Sequence, residues 1–171
     1  MPKIILKINS AADTVYDSDD VCCYLAAASL PEDVLEKCQK TGKMVLLCGE
    51  GAAEKCKALG LDGMVVEPDV QKPLKVQVKK EQSVIGAHKA FGIVIPARRH
   101  EAMLAGETEP DFVAFKYAPE DSAAALEVIR WYNELFLIQS AVDLTSGLQD
   151  TTGADVDFVI INSRDYEDFG C

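Results

Sequence analysis

The sequence predicts a single α/β domain, a compact (β/α)8 barrel whose first and last helices are reduced or missing. Two observations carry this. Eight short apolar runs recur about every twenty residues, and most of the gaps between them hold apolar residues at helical spacing. The stretch from Gly60 to Tyr117 reads LG-LDGMVVE, FGIVIPARRHEAMLAGE and PDFVAFKY, with two Asp-led strands that each follow a helix ending near Gly. That rhythm belongs to a parallel sheet.

The runs are KIILKI (3–8), VCCYLAA (21–27), KMVLLCG (43–49), GMVVE (63–67), FGIVIPA (91–97), DFVAFKY (111–117), LFLIQSAV (135–142) and DFVIINS (157–163). Pro31 sits at a first-turn position ahead of Val34, Leu35 and Cys38, which share one helical face. Ala52 to Leu59 stops at Gly60, a C-terminal glycine. Arg99 to Glu107 groups Ala102, Met103 and Gly106, and Ser122 to Glu134 places Ala125, Val128, Ile129 and Tyr132 on one stripe. Residues 72–85 alternate at Leu74, Val76 and Val78 and read as either a strand or a weak helix.

At 171 residues the chain is short against a typical barrel of about 250. The shortfall has a place. NSAADTVYDSDD, between the first two strands, is too polar for a wall helix, and only RDYEDFGC follows the eighth strand. An uncovered parallel wall exposes apolar strand faces, so a homodimer is expected to cover it.

Composition narrows the function. A net charge of −11 argues against nucleic acid. No apolar run approaches the roughly 18 residues of a membrane span, and the start lacks a signal-peptide pattern. The six cysteines include no CxxC and no Cys/His zinc spacing, so they read as free thiols of a cytoplasmic protein, with no cofactor evident. Cys22 and Cys23 are expected on opposite faces of a strand, and Cys171 ends the chain. His88 and His100 read as surface residues.

Strand parity points to a mouth. Val113, Phe115 and Tyr117 suit the helix side, leaving Ala114 in the lumen and Lys116 at the rim; Gly63, Val65 and Glu67 face inward, and Glu50 extends the parity of Leu46 and Cys48. Gln139 and Asn162 are the expected mouth residues of strands seven and eight. Lys116 with Glu67 and Glu50 reads as an ion-pair network, as a ligand contact, or as a Schiff-base lysine with carboxylates to shuttle protons.

The LGLDGMVV block resembles ALGADGVHL of the thiamine phosphate synthase and thiazole tautomerase family, and RRHEAMLAGETEPDFVAF resembles its helix followed by ADYVXFG. The resemblance spans residues 43 to 163 and implies the family's barrel. In that family a strand-two Arg-x-Lys and a strand-three Asn-Asp hold pyrophosphate and magnesium. Here those segments read YLAAAS and CGEG, with Glu50 and Gly51 at the Asn-Asp positions, and Val65 replaces the family's His. The Gly-Gly pair after strand seven reads Ser140-Ala141, and Ser163 stands at the phosphate-contacting Ser. The resemblance therefore implies a divergent member that binds a small phosphorylated metabolite through Ser140, Asn162, Ser163 and Gln139, or binds a partner, with the synthase chemistry lost. The alternatives are an active transferase or isomerase of that family, with magnesium required only if synthase activity is retained, and a Lys116 lyase.

Overall fold

The computed structural model describes residues 2–169. Eight parallel strands close in chain order into a barrel: β1 (Lys3–Ile8), β2 (Val21–Ala27), β3 (Met44–Cys48), β4 (Gly63–Val66), β5 (Ala90–Pro96), β6 (Phe112–Lys116), β7 (Gln139–Asp143) and β8 (Phe158–Asn162). Five helices lie outside: α1 (Glu32–Gln39), α2 (Ala52–Leu59), α3 (Leu74–Ile85), α4 (Arg99–Glu107) and α5 (Ser122–Leu135). Cys171 lies outside the described residues.

The bounds of α1, α2 and α3 follow from local chemistry. Acidic Glu32 and Asp33 open α1 and Lys37 closes it, in line with the helix dipole, while Val34, Leu35 and Cys38 are buried. Gly60 ends α2 in the left-handed region at φ 67°. The ambiguous segment is the helix α3, bounded by Pro73 and Gly86, with Leu74, Val78 and Ile85 buried and Val76 exposed. Helical spacing won there because the alternate residue has no apolar surface to meet. In α4, Ala102, Ala105 and Gly106 face inward and Met103 lies at the surface.

The Asp residues that lead β4, β6 and β8 have a structural task. Asp62, just ahead of β4, accepts from the Val45 amide of β3 at 2.8 Å. Asp111 ahead of β6 accepts from the Phe91 amide of β5 at 2.7 Å, and Asp157 ahead of β8 from the Ser140 amide of β7 at 3.0 Å. Each carboxylate satisfies a backbone donor at the N-terminal rim, where the ladder has not yet begun.

Among the described residues no α-helix follows β1 or β8, and residues 144–157 between β7 and β8 form none either. The resulting wall is covered by the chain itself. Tyr16 stacks on Tyr166 at 4.3 Å, Tyr24 donates to the Tyr16 carbonyl at 2.8 Å, Tyr166 donates to Asp20 at 2.9 Å, and Ser163 donates to the Thr14 carbonyl. Val15, Val156 and Phe169 pack against the same cluster, so Ile4, Leu6, Ile8, Val159 and Ile161 are no more than 2% exposed. The apolar-wall argument for a second subunit loses its premise.

Inside, Ile5, Leu25, Leu46, Val65, Val94, Ala114, Ala141 and Ile160 fill the lumen. Phe112 and Phe158, with ring centroids 5.9 Å apart, sit at its N-terminal end. The barrel is a packed core, and barrels of this kind hold their small ligands at the C-terminal mouth.

Candidate functional site

A cavity of about 810 Å³ opens at that mouth. Lys7 from β1, Cys48 from β3 and Asp143 from β7 line it, and so do Glu50, Glu67 and Thr145 from the loops that follow strands. Glu54 of α2 and Lys80, Glu81 and Val84 of α3 form its flank. Leu25, Val65 and Val94 make an apolar base.

Lys116 ends β6 on the lumen parity set by Phe112 and Ala114. Its Nζ lies 3.3 and 3.4 Å from the two Glu67 oxygens and 3.9 Å from Asp143. Asp143 is 6% exposed and accepts from the Thr145 amide at 2.8 Å and its hydroxyl at 2.7 Å. Those two bonds fix the carboxylate while its second oxygen faces Lys116. Burial pushes the Cys48 thiol up from its ordinary value; Lys7 opposes the rise, and Asp143 and Glu67 add to it.

Lys116, Glu67 and Glu50 therefore stand at one mouth, where strand parity placed them. The other four expected residues do not join them. Gln139 and Ser140 lie at the opposite end of the barrel, because the run LFLIQSAV is not one strand. Leu135 closes α5, Leu137 is fully exposed, and β7 begins only at Gln139. The mouth residue of β7 is thus Asp143, four positions later. Ser140 faces away from the lumen residue Ala141, and its hydroxyl is buried without a partner among the described residues.

Asn162 and Ser163 are near the mouth but are held by internal bonds. The Asn162 amide nitrogen donates to the Thr145 carbonyl at 2.8 Å and to Asp165 at 3.4 Å, and its oxygen accepts from Asn9 at 2.8 Å. The Ser163 hydroxyl is bound to Thr14. These bonds tie the loops after β1, β7 and β8 together and leave neither side chain free for phosphate.

Sequence reasoning missed Lys7, Asp143 and Thr145. Two of them left a signal. Lys7 shares the parity of lumen residue Ile5, and Asp143 ends the short run SAV just ahead of a Thr-Ser-Gly turn.

No family model and no curated protein matches the sequence. Solved structures do. The tryptophan synthase α2β2 complex from Pyrococcus furiosus matches over 98% of this chain and 91% of that chain, with a TM-score of 0.65 at 11% identity. A mutant tryptophan synthase alpha subunit from the same organism gives a TM-score of 0.64 at 12% identity, covering 98% and 91%. Tryptophan synthase from M. tuberculosis gives 0.63 at 13% identity, covering 95% and 83%. The likeness is one of fold.

These findings overturn the thiamine-family resemblance. Nothing in the sequence comparisons supports that family, and the similar structures are barrels of another enzyme. The blocks that suggested it, LGLDGMVV and EPDFVAF, are helix-stop, Asp and strand units, and their Asp62 and Asp111 cap the preceding strands. Such units answer a demand of barrel construction rather than of one chemistry. The divergent-synthase reading and its transferase or isomerase alternative are withdrawn, and the expectation of magnesium depended on that chemistry. The Lys116 lyase is withdrawn as well: the amine sits between Glu67 and Asp143, not in the apolar pocket that makes a lysine nucleophilic.

Proposed function

We propose that the barrel binds a small amine-bearing metabolite at its C-terminal mouth. The observation that carries the reading is the charge of the cavity. Glu50, Glu54, Glu67, Glu81 and Asp143 line it against Lys7 and Lys80, and with Lys116 beside Glu67 and Asp143 the carboxylates still outnumber the amines. Carboxylates accept hydrogen bonds from an ammonium, and their excess repels a phosphate. Lys7, also in the lining, gives an amino acid a place for its carboxylate. The cavity is of small-metabolite size, with an apolar base of Leu25, Val65 and Val94 for the ligand's carbon skeleton.

The test is calorimetric titration and thermal shift with amino acids (tryptophan included), a diamine, a neutral sugar and a phosphomonoester. An amine at a hundred times its Kd raises stability by about 2.7 kcal/mol, equivalent to roughly 5–10 °C in a chain of this size. Glu67→Gln and Asp143→Asn each weaken that amine by at least about tenfold, since a charge-assisted bond contributes about 1.5–3 kcal/mol. A shift with the phosphomonoester and none with any amine would sink the proposal.

A further inference from the structure

At the other end of the barrel three sulfur-bearing residues, Cys22, Cys23 and Met44, sit on the adjacent strands β2 and β3. In a regular strand Cys22 and Cys23 would point to opposite faces, but β2 carries an irregularity. The register runs from Ile4↔Val21 to Ile5↔Cys23, which leaves Cys22 as an extra residue opposite no partner on β1. As a result both cysteines pack with the lumen cluster, and the Cys22 thiol donates to the Ile4 carbonyl at 3.3 Å. The sequence expectation of opposite faces is corrected by that one inserted residue.

The third sulfur comes from the next strand. Cys23 is the register partner of Met44, just as Leu25, two residues on, is the partner of Leu46. Leu25 and Leu46 both face the lumen, so Met44 shares the side of Cys23, one strand spacing of about 4.8 Å away. Met44 is 45% exposed and Cys22 half-buried, so the cluster is reachable from solvent.

We propose that Cys22, Cys23 and Met44 form a binding site for a monovalent soft cation of the copper(I) class. The donor set selects the ion. Thiolate and thioether sulfur favour copper(I), whereas a structural zinc site needs four ligands of the Cys/His type. Among the described residues no three His, Cys, Asp or Glu side chains gather as a metal site, so this cluster has no harder donor to recruit. Binding replaces the proton on each thiol with a sulfur–copper bond and releases two protons, with no change of oxidation state. The site lies at the opposite end of the barrel from the mouth and is independent of the amine-binding proposal.

The experiment is an anaerobic titration of the reduced full chain with copper(I), in competition with bicinchoninate as the coloured chelator. Wild type withdraws one equivalent of copper. Cys22→Ser and Cys23→Ala each weaken retention at least tenfold, Met44→Leu weakens it at least threefold, and Cys38→Ala retains copper as wild type does. Thermal melts check folding, and Cys22→Ser keeps a hydroxyl for the bond its thiol makes to the Ile4 carbonyl at 3.3 Å. No withdrawal by wild type overturns the proposal, as does unchanged retention in folded Cys22→Ser or in Met44→Leu, or loss in Cys38→Ala.

Discussion

Gly92 tests the packing that closes the lumen below the mouth. A Cβ built on it meets three atoms of the Phe112 ring, Cζ at 2.2 Å and the two Cε atoms at 2.5 and 2.7 Å. The ring has little room to retreat, because Phe112 is 5% exposed and packs against Phe158 at 5.9 Å. Overpacking of this kind costs about 1–3 kcal/mol. The backbone of Gly92 is not left-handed, so alanine also restricts the unfolded chain and returns about 0.4–1 kcal/mol. Gly92→Ala is therefore expected to destabilise by about 1–2 kcal/mol, a fall of roughly 3–6 °C in Tm. The clashing atoms are all at the far end of the ring, and leucine lacks them. In a Phe112→Leu background the same Gly92→Ala change is neutral or stabilising. Urea denaturation of the four proteins closes the cycle, with an expected coupling of about 1–2 kcal/mol. Equal cost in both backgrounds would refute the argument, since the penalty would then not come from the ring.

Ser140→Ala removes a buried hydroxyl with no partner among the described residues and is expected to raise stability by up to about 1 kcal/mol in chemical denaturation. Tyr166→Ala deletes the ring stacked on Tyr16 and the bond to Asp20, and should cost about 2 kcal/mol; Tyr166→Phe, which keeps the stack, should cost less than half of that. Stability should also fall at high pH. Burial raises the Cys38 thiol from the ordinary value near 9 to about 11. The unfolded chain then loses this proton first, so the contribution is whole below pH 9, declines between 9 and 11, and is gone above that. Denaturation midpoints across that window should fall less in Cys38→Ala than in wild type, and parallel declines would contradict the assignment.

Much of the barrel was legible because its demands are local. Strand parity needs only alternation, and it placed Ala114, Val65 and Leu46 inside and Lys116, Glu67 and Glu50 at the mouth. Helix ends need only a glycine or proline at the right step, as at Gly60 and Pro31. The same locality misled at residues 135–142. An apolar run there serves a helix end and an exposed loop before the strand starts, and periodicity alone cannot separate the three. That error moved the expected site of β7 from Asp143 to Gln139. Locality misled again with the helix–Asp–strand blocks, where shared construction looked like shared ancestry.

By itself, then, the sequence determined a parallel barrel with polar strand ends on three of its eight strands, because side-chain alternation and helix stops are written within a few residues. Only the tertiary structure decided what met across long separations. Tyr16 found Tyr166 to cover the wall without helices, Lys116 found Glu67 and Asp143, and one extra residue opposite β1 turned two adjacent cysteines to the same side. Those pairings depend on barrel closure and strand register, which follow from how all eight strands pack together and not from any one of them.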